Sequence, residues 1–184
     1  MTTIRNIVLV HGGFVDGSDW QGVYDELARD GFSVRIVQNL TLSLAGDVAA
    51  TRQVLDGLDG PAVLVGHSYG GVVISEADTH PNVGALAYIA ADLPASTTRL
   101  MQATQRPFAA SSYTDVTTAA AWRTIPSWAL VATQDKAIPP ALERFFYRRA
   151  KSHVYEAKGA SHVPMMSQPG LVTRVIKDAA HAVG

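Results

Sequence analysis

Three side chains in this sequence could together activate a hydroxyl group. Ser68 stands in Gly66-His67-Ser68-Tyr69-Gly70, where one apolar run ends and a second begins with a different period. Asp135 follows the apolar run 127–132 in VATQDKAIPP, and His162 lies in the glycine-led stretch EAKGASHVPMMSQP. A serine hydroxyl is a weak nucleophile at neutral pH; it needs a base, and the base needs a group that orients it. The chain order Ser68, Asp135, His162 suits a parallel sheet in which the nucleophile ends one strand and its partners end later ones. Singly, Ser68 could cap a helix, Asp135 could be a turn or capping residue before Pro139, and His162 a surface-loop histidine. Their joint placement at three predicted strand ends favours the catalytic reading.

A G-x-S-x-G turn between a strand and a helix forces strained backbone angles on the serine and leaves no room for side chains at the flanking positions. Gly66 and Gly70 meet that need, and Gly71 would let the following helix lie close to the sheet. The chemistry also requires donors for a developing oxyanion. The first apolar run ends in His11-Gly12-Gly13-Phe14. The backbone N–H groups of Gly13 and Tyr69 are the expected pair, with the Phe14 N–H as the substitute if the loop is turned by one residue.

The other histidines have ordinary readings. His67 fills the variable position of the turn, and His11 packs and hydrogen-bonds beneath the glycine loop. His80 precedes a proline, His153 begins a short strand and His181 lies in the tail. No pair has metal-site spacing, and Gly12-Gly13 lacks the rest of a dinucleotide fingerprint. Neither a metal nor a cofactor is expected.

Strands and helices alternate around these residues. Strands are predicted at 4–10, 33–37, 61–65, 83–90, 127–132 and 153–157. Helices are predicted at 20–30, 44–58, 69–79, 140–150 and 169–182, the first with a capping box from Ser18 to Gln21. The strands are apolar throughout, which implies an α/β fold: a mostly parallel, doubly wound sheet of about six strands, covered on both faces. Ligands in such sheets bind beyond the carboxyl ends of the strands. Residues 91–123 are rich in Ala, Ser and Thr and break the pattern; irregular helices or a small lid are expected there within a single domain spanning 1–184.

The bulk properties set limits. The chain has 184 residues, 47% of them hydrophobic, 15 Lys and Arg against 16 Asp and Glu, and a net charge of −1. Nothing in that balance attracts nucleic acid or an anionic membrane. There are no cysteines, so thiol catalysis, disulfides and cysteine-type zinc sites are excluded. No apolar stretch approaches membrane-spanning length, and the amino terminus reads as a strand; a cytoplasmic location is the default expectation. A homodimer is one candidate assembly, and the sequence leaves the oligomeric state open.

The stretches VLVHGGFVDGSDW, LVGHSYGG, IPSWALVATQDKAIPP and GASHVPMMSQP resemble the α/β-hydrolase superfamily, and within it the branch of plant methylesterases, hydroxynitrile lyases and bacterial esterase-like proteins. The resemblance implies a Ser68–His162–Asp135 triad, an acyl-enzyme intermediate and no cofactor. The lyases of this branch resemble each other in carrying Thr after the first-strand His and Lys after the catalytic His; here Gly12 and Val163 stand there. A lyase needs a cation near the leaving cyanide, so hydrolysis of small carboxylic esters is the expectation. The same triad used for lactone or C–C hydrolysis or perhydrolysis is an alternative. So is a ligand-binding protein on this fold with little turnover.

The resemblance also implies a cap between the fourth and fifth core strands, several tens of residues longer than this chain holds. Only 67 positions separate Ser68 from Asp135, so residues 92–122 must serve as the whole cap. Candidate pocket linings are Phe14, Met101, Phe108, Trp122, Val163 and Met166, with Met165 beside them; core packing is the competing reading for each.

Overall fold

The computed structural model describes residues 3–77, 80–89, 106–160 and 162–183. Six strands form one sheet: β1 (Asn6–Val10), β2 (Ser33–Val37), β3 (Ala62–His67), β4 (Val83–Ile89), β5 (Ser127–Ala132) and β6 (His153–Ala157). Their spatial order is β2-β1-β3-β4-β5-β6 and every neighbouring pair is parallel. The helices are α1 (Gln21–Arg29), α2 (Leu44–Asp56), α3 (Tyr69–Glu76), the short α4 (Ser111–Thr114), α5 (Pro140–Arg149), α6 (Pro164–Ser167) and α7 (Pro169–Ala182).

The alternation of a strand divides each apolar run between two cores. Ile7 and Leu9 of β1, with Val63 and Val65 of β3, pack under α1 and α7 against Val23, Leu27, Val175 and Ile176. Val8, Val10 and Leu64 point the other way, onto Leu44, Leu55, Val73 and Ile74 of α2 and α3. A strand serving two cores is covered on both faces, which is why β1, β3 and β5 are buried throughout and carry polar side chains only at an end, Asn6, His67 and Ser127. Truncating one of their Leu or Ile side chains to alanine costs about 2–5 kcal/mol. The edge strands β2 and β6 alternate or open to solvent instead.

The strand order places the site. From β1 the chain moves outward to β2, then returns past β1 to β3. The helix after β1 and the helix after β3 therefore cover opposite faces. Their connecting turns diverge and leave a crevice at the carboxyl ends of β1 and β3. The glycine loop ends β1 and Ser68 ends β3.

Local signals worked unevenly. Gly31 has φ 81°, and the N–H groups of Gly31 and Phe32 reach the Ala28 and Leu27 carbonyls, a Schellman stop for α1. The start of α1 differs from the expected Ser18–Gln21 box. A 3-10 turn over Gly17–Trp20 precedes the helix, and Asp16 caps it by accepting from the Ser18 N–H at 2.9 Å and the Ser18 hydroxyl at 2.6 Å. The serine is a donor to the cap here, so its spacing to Gln21 carries no capping role. Helix α6 was not expected from the sequence; Pro164 fits its first turn. Of the segment expected to be irregular, residues 91–105 lie outside the described residues; the remainder holds α4 and a 3-10 turn at Ala121–Arg123. No helix among the described residues is long and apolar enough to cross a membrane.

Candidate active site

Ser68 joins β3 to α3 with φ 52° and ψ −120°, a left-handed conformation that non-glycine residues avoid. The turn stays closed because its neighbours are glycines. A Cβ on Gly66 would sit 2.5 Å from the Gly70 carbonyl oxygen, and one on Gly70 would sit 2.5 Å from the Val10 carbonyl oxygen and 2.8 Å from that of His11. Both obstacles are backbone, which cannot swing away. Gly71 is different from its sequence reading: a Cβ there would meet the Tyr88 ring at 3.4 Å, ordinary contact, so the close approach of α3 to the sheet rests on Gly70. The Ser68 N–H is held by the Ile89 carbonyl at 3.2 Å, and the Ser68 carbonyl receives the Gly71 N–H at 2.8 Å.

The three sequence candidates come together at the carboxyl edge of the sheet. His162 Nε2 lies 2.8 Å from Ser68 Oγ, and His162 Nδ1 lies 2.8 Å from Asp135 Oδ2. The Asp135 side chain is fully buried, while that of His162 is partly open. Asp135 Oδ1 also accepts the N–H groups of Ala137 (2.7 Å) and Ile138 (2.8 Å) in the turn before α5. Burial works against the Asp135 charge, but hydrogen bonds from His162 and the Ile138 N–H outweigh it and bring the carboxyl down to about 2. The carboxylate is thus ionised at neutral pH, and it fixes the tautomer of His162 with its proton on Nδ1 and a lone pair toward Ser68. That arrangement can take a proton from the serine hydroxyl.

The glycine loop is braced from below by His11. Its Nε2 accepts the Asn39 N–H at 2.9 Å, so its Nδ1 carries the proton and donates to the Gly12 carbonyl at 2.8 Å. Burial foremost lowers the His11 pKa and keeps this ring neutral. Side-chain rings pack closely on Gly12 and Gly13, and any Cβ there would make one of them shift. A Cβ on Gly12 would fall 2.9 Å from His67 Nδ1, and one on Gly13 would fall 2.7 Å from the Phe108 ring. Phe14 follows with φ 65° and is largely exposed. Tyr69 is the first residue of α3, so its N–H has no carbonyl partner within the helix. Its hydroxyl donates to Asp47 Oδ2 at 2.9 Å.

The pocket candidates separate into groups. Trp122 lines a cavity of about 600 Å³ that opens on Ser68 and is walled by Val72, Tyr88 and Tyr147. Phe108 sits between Phe14 and Tyr69, with ring centroids 5.2 and 4.8 Å away. Val163 is buried in the core beside α7, and Met166 packs against the same core, as does Met165. Met101 lies outside the described residues. A larger groove of about 830 Å³ runs between α2 and residues 115–119 and holds none of the candidates. No group of three His, Asp or Glu side chains that could hold a metal occurs among the described residues.

Two buried polar residues of the site had no role in the sequence reading. His67, read as filler, hydrogen-bonds the His162 backbone. Glu143, at an unremarked helix position, lies against Asp135. The only signal for either was its place in the chain, one before Ser68 and one turn into the helix after Asp135.

Solved structures share this architecture. A pyrethroid hydrolase from Sphingobium faniae JZ-2 matches with a TM-score of 0.80 at 20% identity, with 98% of each chain covered. Polyneuridine aldehyde esterase gives 0.81 at 17% identity, covering 96% of this chain and 99% of its own. A methylesterase from Arabidopsis gives 0.83 at 15%, covering 97% and 99%. At these identities the likeness is one of fold. No curated protein matches the sequence. The alpha/beta hydrolase family model matches residues 7–112 and 90–175, spans that take in both glycine turns, Asp135 and His162, and the chain belongs to that family.

Proposed function

We propose that the protein is a serine hydrolase of small carboxylic esters. The observation that carries the reading is the continuous hydrogen-bonded line from Ser68 Oγ through His162 to a buried, ionised Asp135, with both links at 2.8 Å. Ser68 attacks the ester carbonyl as His162 Nε2 takes its proton. Asp135 holds the imidazole and stabilises the imidazolium. The Gly13 and Tyr69 N–H groups receive the oxyanion. His162 then protonates the leaving alcohol, and a water activated by the same ring releases the acyl group from Ser68. The esterase and hydrolase names of proteins sharing the fold favour this class. Val163, buried in the core, offers no cation for a leaving cyanide. Residues 106–123 act as a reduced cap, with Phe108 over the glycine loop and Trp122 in the cavity wall.

The test is labelling by a serine-directed phosphonate together with turnover of a short aryl ester. One equivalent of label and steady turnover are expected, both lost in Ser68→Ala, with a rate drop on the order of a thousandfold or more. Labelling without turnover would instead identify a binding protein on a hydrolase fold.

A further inference from the structure

Glu143 is the one buried residue of α5, and only 2% of it is exposed. A carboxyl group is almost never buried so fully without partners. Glu143 Oε2 accepts the Ala132 N–H at 3.1 Å, tying α5 to the end of β5. Its Oε1 is buried and receives no N–H or O–H donor among the described residues. What lies against the carboxyl is the carboxyl of Asp135.

Two ionised carboxylates in buried contact repel, and neither can donate to the other. A single proton turns the contact into an O–H···O⁻ hydrogen bond, and donor counting decides where it resides. Asp135 already receives three donors, from Ala137, Ile138 and His162; Glu143 receives one. The proton therefore belongs to Glu143. Burial foremost, then the contact with Asp135, raise Glu143 to about 8, while Asp135 stays low.

We propose that Glu143 is a positioning residue: as a neutral acid it donates its O–H to the Asp135 carboxylate and holds that carboxylate on His162 Nδ1. The inference rests on the proposed triad. Ionisation of Glu143 removes the donor and sets a second negative charge against Asp135, so the support fails in mildly alkaline solution.

The groups around Glu143 are few. Asp135 faces it from the turn after β5, with His162 beyond it in the turn after β6. On its own helix are Arg144, which also pairs with Glu156, and Tyr147, whose phenol faces Tyr88 of β4. Burial foremost pushes Tyr147 far up, so it does not titrate near Glu143.

The experiment is the pH profile of kcat/KM on a short aryl ester for the wild type, Glu143→Gln and Glu143→Leu. Glutamine can donate to Asp135 and accept from Ala132, and it does not titrate. Wild-type activity should fall away on the alkaline side around 8, the value for Glu143. Glu143→Gln should stay within about threefold of wild type at neutral pH and move that limb up by more than one unit. Glu143→Leu should lose about tenfold to a hundredfold across the profile, the cost of a misplaced catalytic group. If the limbs of wild type and Glu143→Gln coincide, the proposal is overturned, whether or not the leucine variant folds. Ser68→Ala in the same assay separates the two readings. Retained turnover sinks the triad itself, whereas lost turnover with coinciding limbs sinks only the role of Glu143.

Discussion

His67 Nε2 lies 2.8 Å from the backbone carbonyl of His162. The residue just before the candidate nucleophile thus supports the loop that carries the candidate base. Because it faces a carbonyl, Nε2 carries the proton and donates. Burial foremost, then the neighbouring His162 and His11, hold the His67 pKa well below its ordinary value, so the ring is neutral. Its Nδ1 is a buried acceptor with no partner among the described residues.

Replacing His67 by phenylalanine should therefore leave the His162 carbonyl without its donor. The cost in stability should be about 1–3 kcal/mol, the range for a buried group left unpaired. kcat should drop by about tenfold to a hundredfold as the imidazole drifts from Ser68 Oγ. Urea unfolding and steady-state kinetics read these two effects. Unchanged kcat in a variant with lowered stability would reduce His67 to a packing residue.

The glycines make a contrasting pair. Gly70→Ala drives a Cβ into the Val10 and His11 carbonyls and should destabilise by at least about 2 kcal/mol, with loss of activity. Gly71→Ala meets only the edge of the Tyr88 ring, and it adds a better helix former at an α3 position. It should range from neutral to about 1 kcal/mol more stable. Thermal melts of the two variants decide; equal destabilisation would mean the turn is not held by Gly70 as described.

Asp19 provides a pH-dependent term in stability. Burial foremost, then the charge of Asp16, raise its carboxyl from 3.8 to about 6, and its Oδ2 is buried without a partner among the described residues. Between those values the native state keeps a proton that the unfolded chain has lost, so stability falls as pH rises through that window. Glu143 acts with the same sign, up to about 8. Asp135 acts with the opposite sign: its contribution is present above the unfolded value and is lost as pH falls toward about 2. Asp19→Asn should remove the Asp19 term and gain about 2 kcal/mol at neutral pH relative to pH 4. Denaturant midpoints at the two pH values, wild type against variant, give the comparison; parallel changes would show that Asp19 is not the titrating group.

The sheet was legible from short β-branched and apolar runs bounded by turn residues: β2, β5 and β6 match the sequence reading at both ends. Strand β3 extends two residues further than read, since Gly66 and His67 pair with Tyr88 and Ile89, a contact that exists only once β4 is in place. The meeting of Ser68, Asp135 and His162 was legible for a related reason. Topology fixes which strand ends meet, so chain order alone narrows the candidates. The contacts of His67 and Glu143 were hidden because they depend on what each side chain faces in the fold. One occupies a position where many residues fit the turn, and the other is an acid in the first turn of a helix, where acids are ordinary. The pocket was hardest to read. Val163 and Met166 have the same apolar chemistry as a lining residue, and only the packing of α7 assigns them to the core.

Glu76, at the end of α3, ties down one wall of the cavity. Its Oε1 accepts the Ala119 N–H at 2.7 Å and its Oε2 the Thr118 hydroxyl at 2.9 Å. Residues 118–120 and Trp122 line the space beside Ser68, so this carboxylate ties the proposed cap segment to α3 without touching Ser68, Asp135 or His162. Glu76→Ala removes both acceptors and leaves the Ala119 N–H to find water. The expected result is a KM raised about three- to tenfold, within the free energy of one or two hydrogen bonds, with kcat changed by less than about twofold. Amide hydrogen exchange across 117–123 should quicken while β3 and β5 stay protected. Glu76→Gln keeps one acceptor and should fall between the two. A fall in kcat at constant KM would place Glu76 in support of the nucleophile turn rather than of the cap.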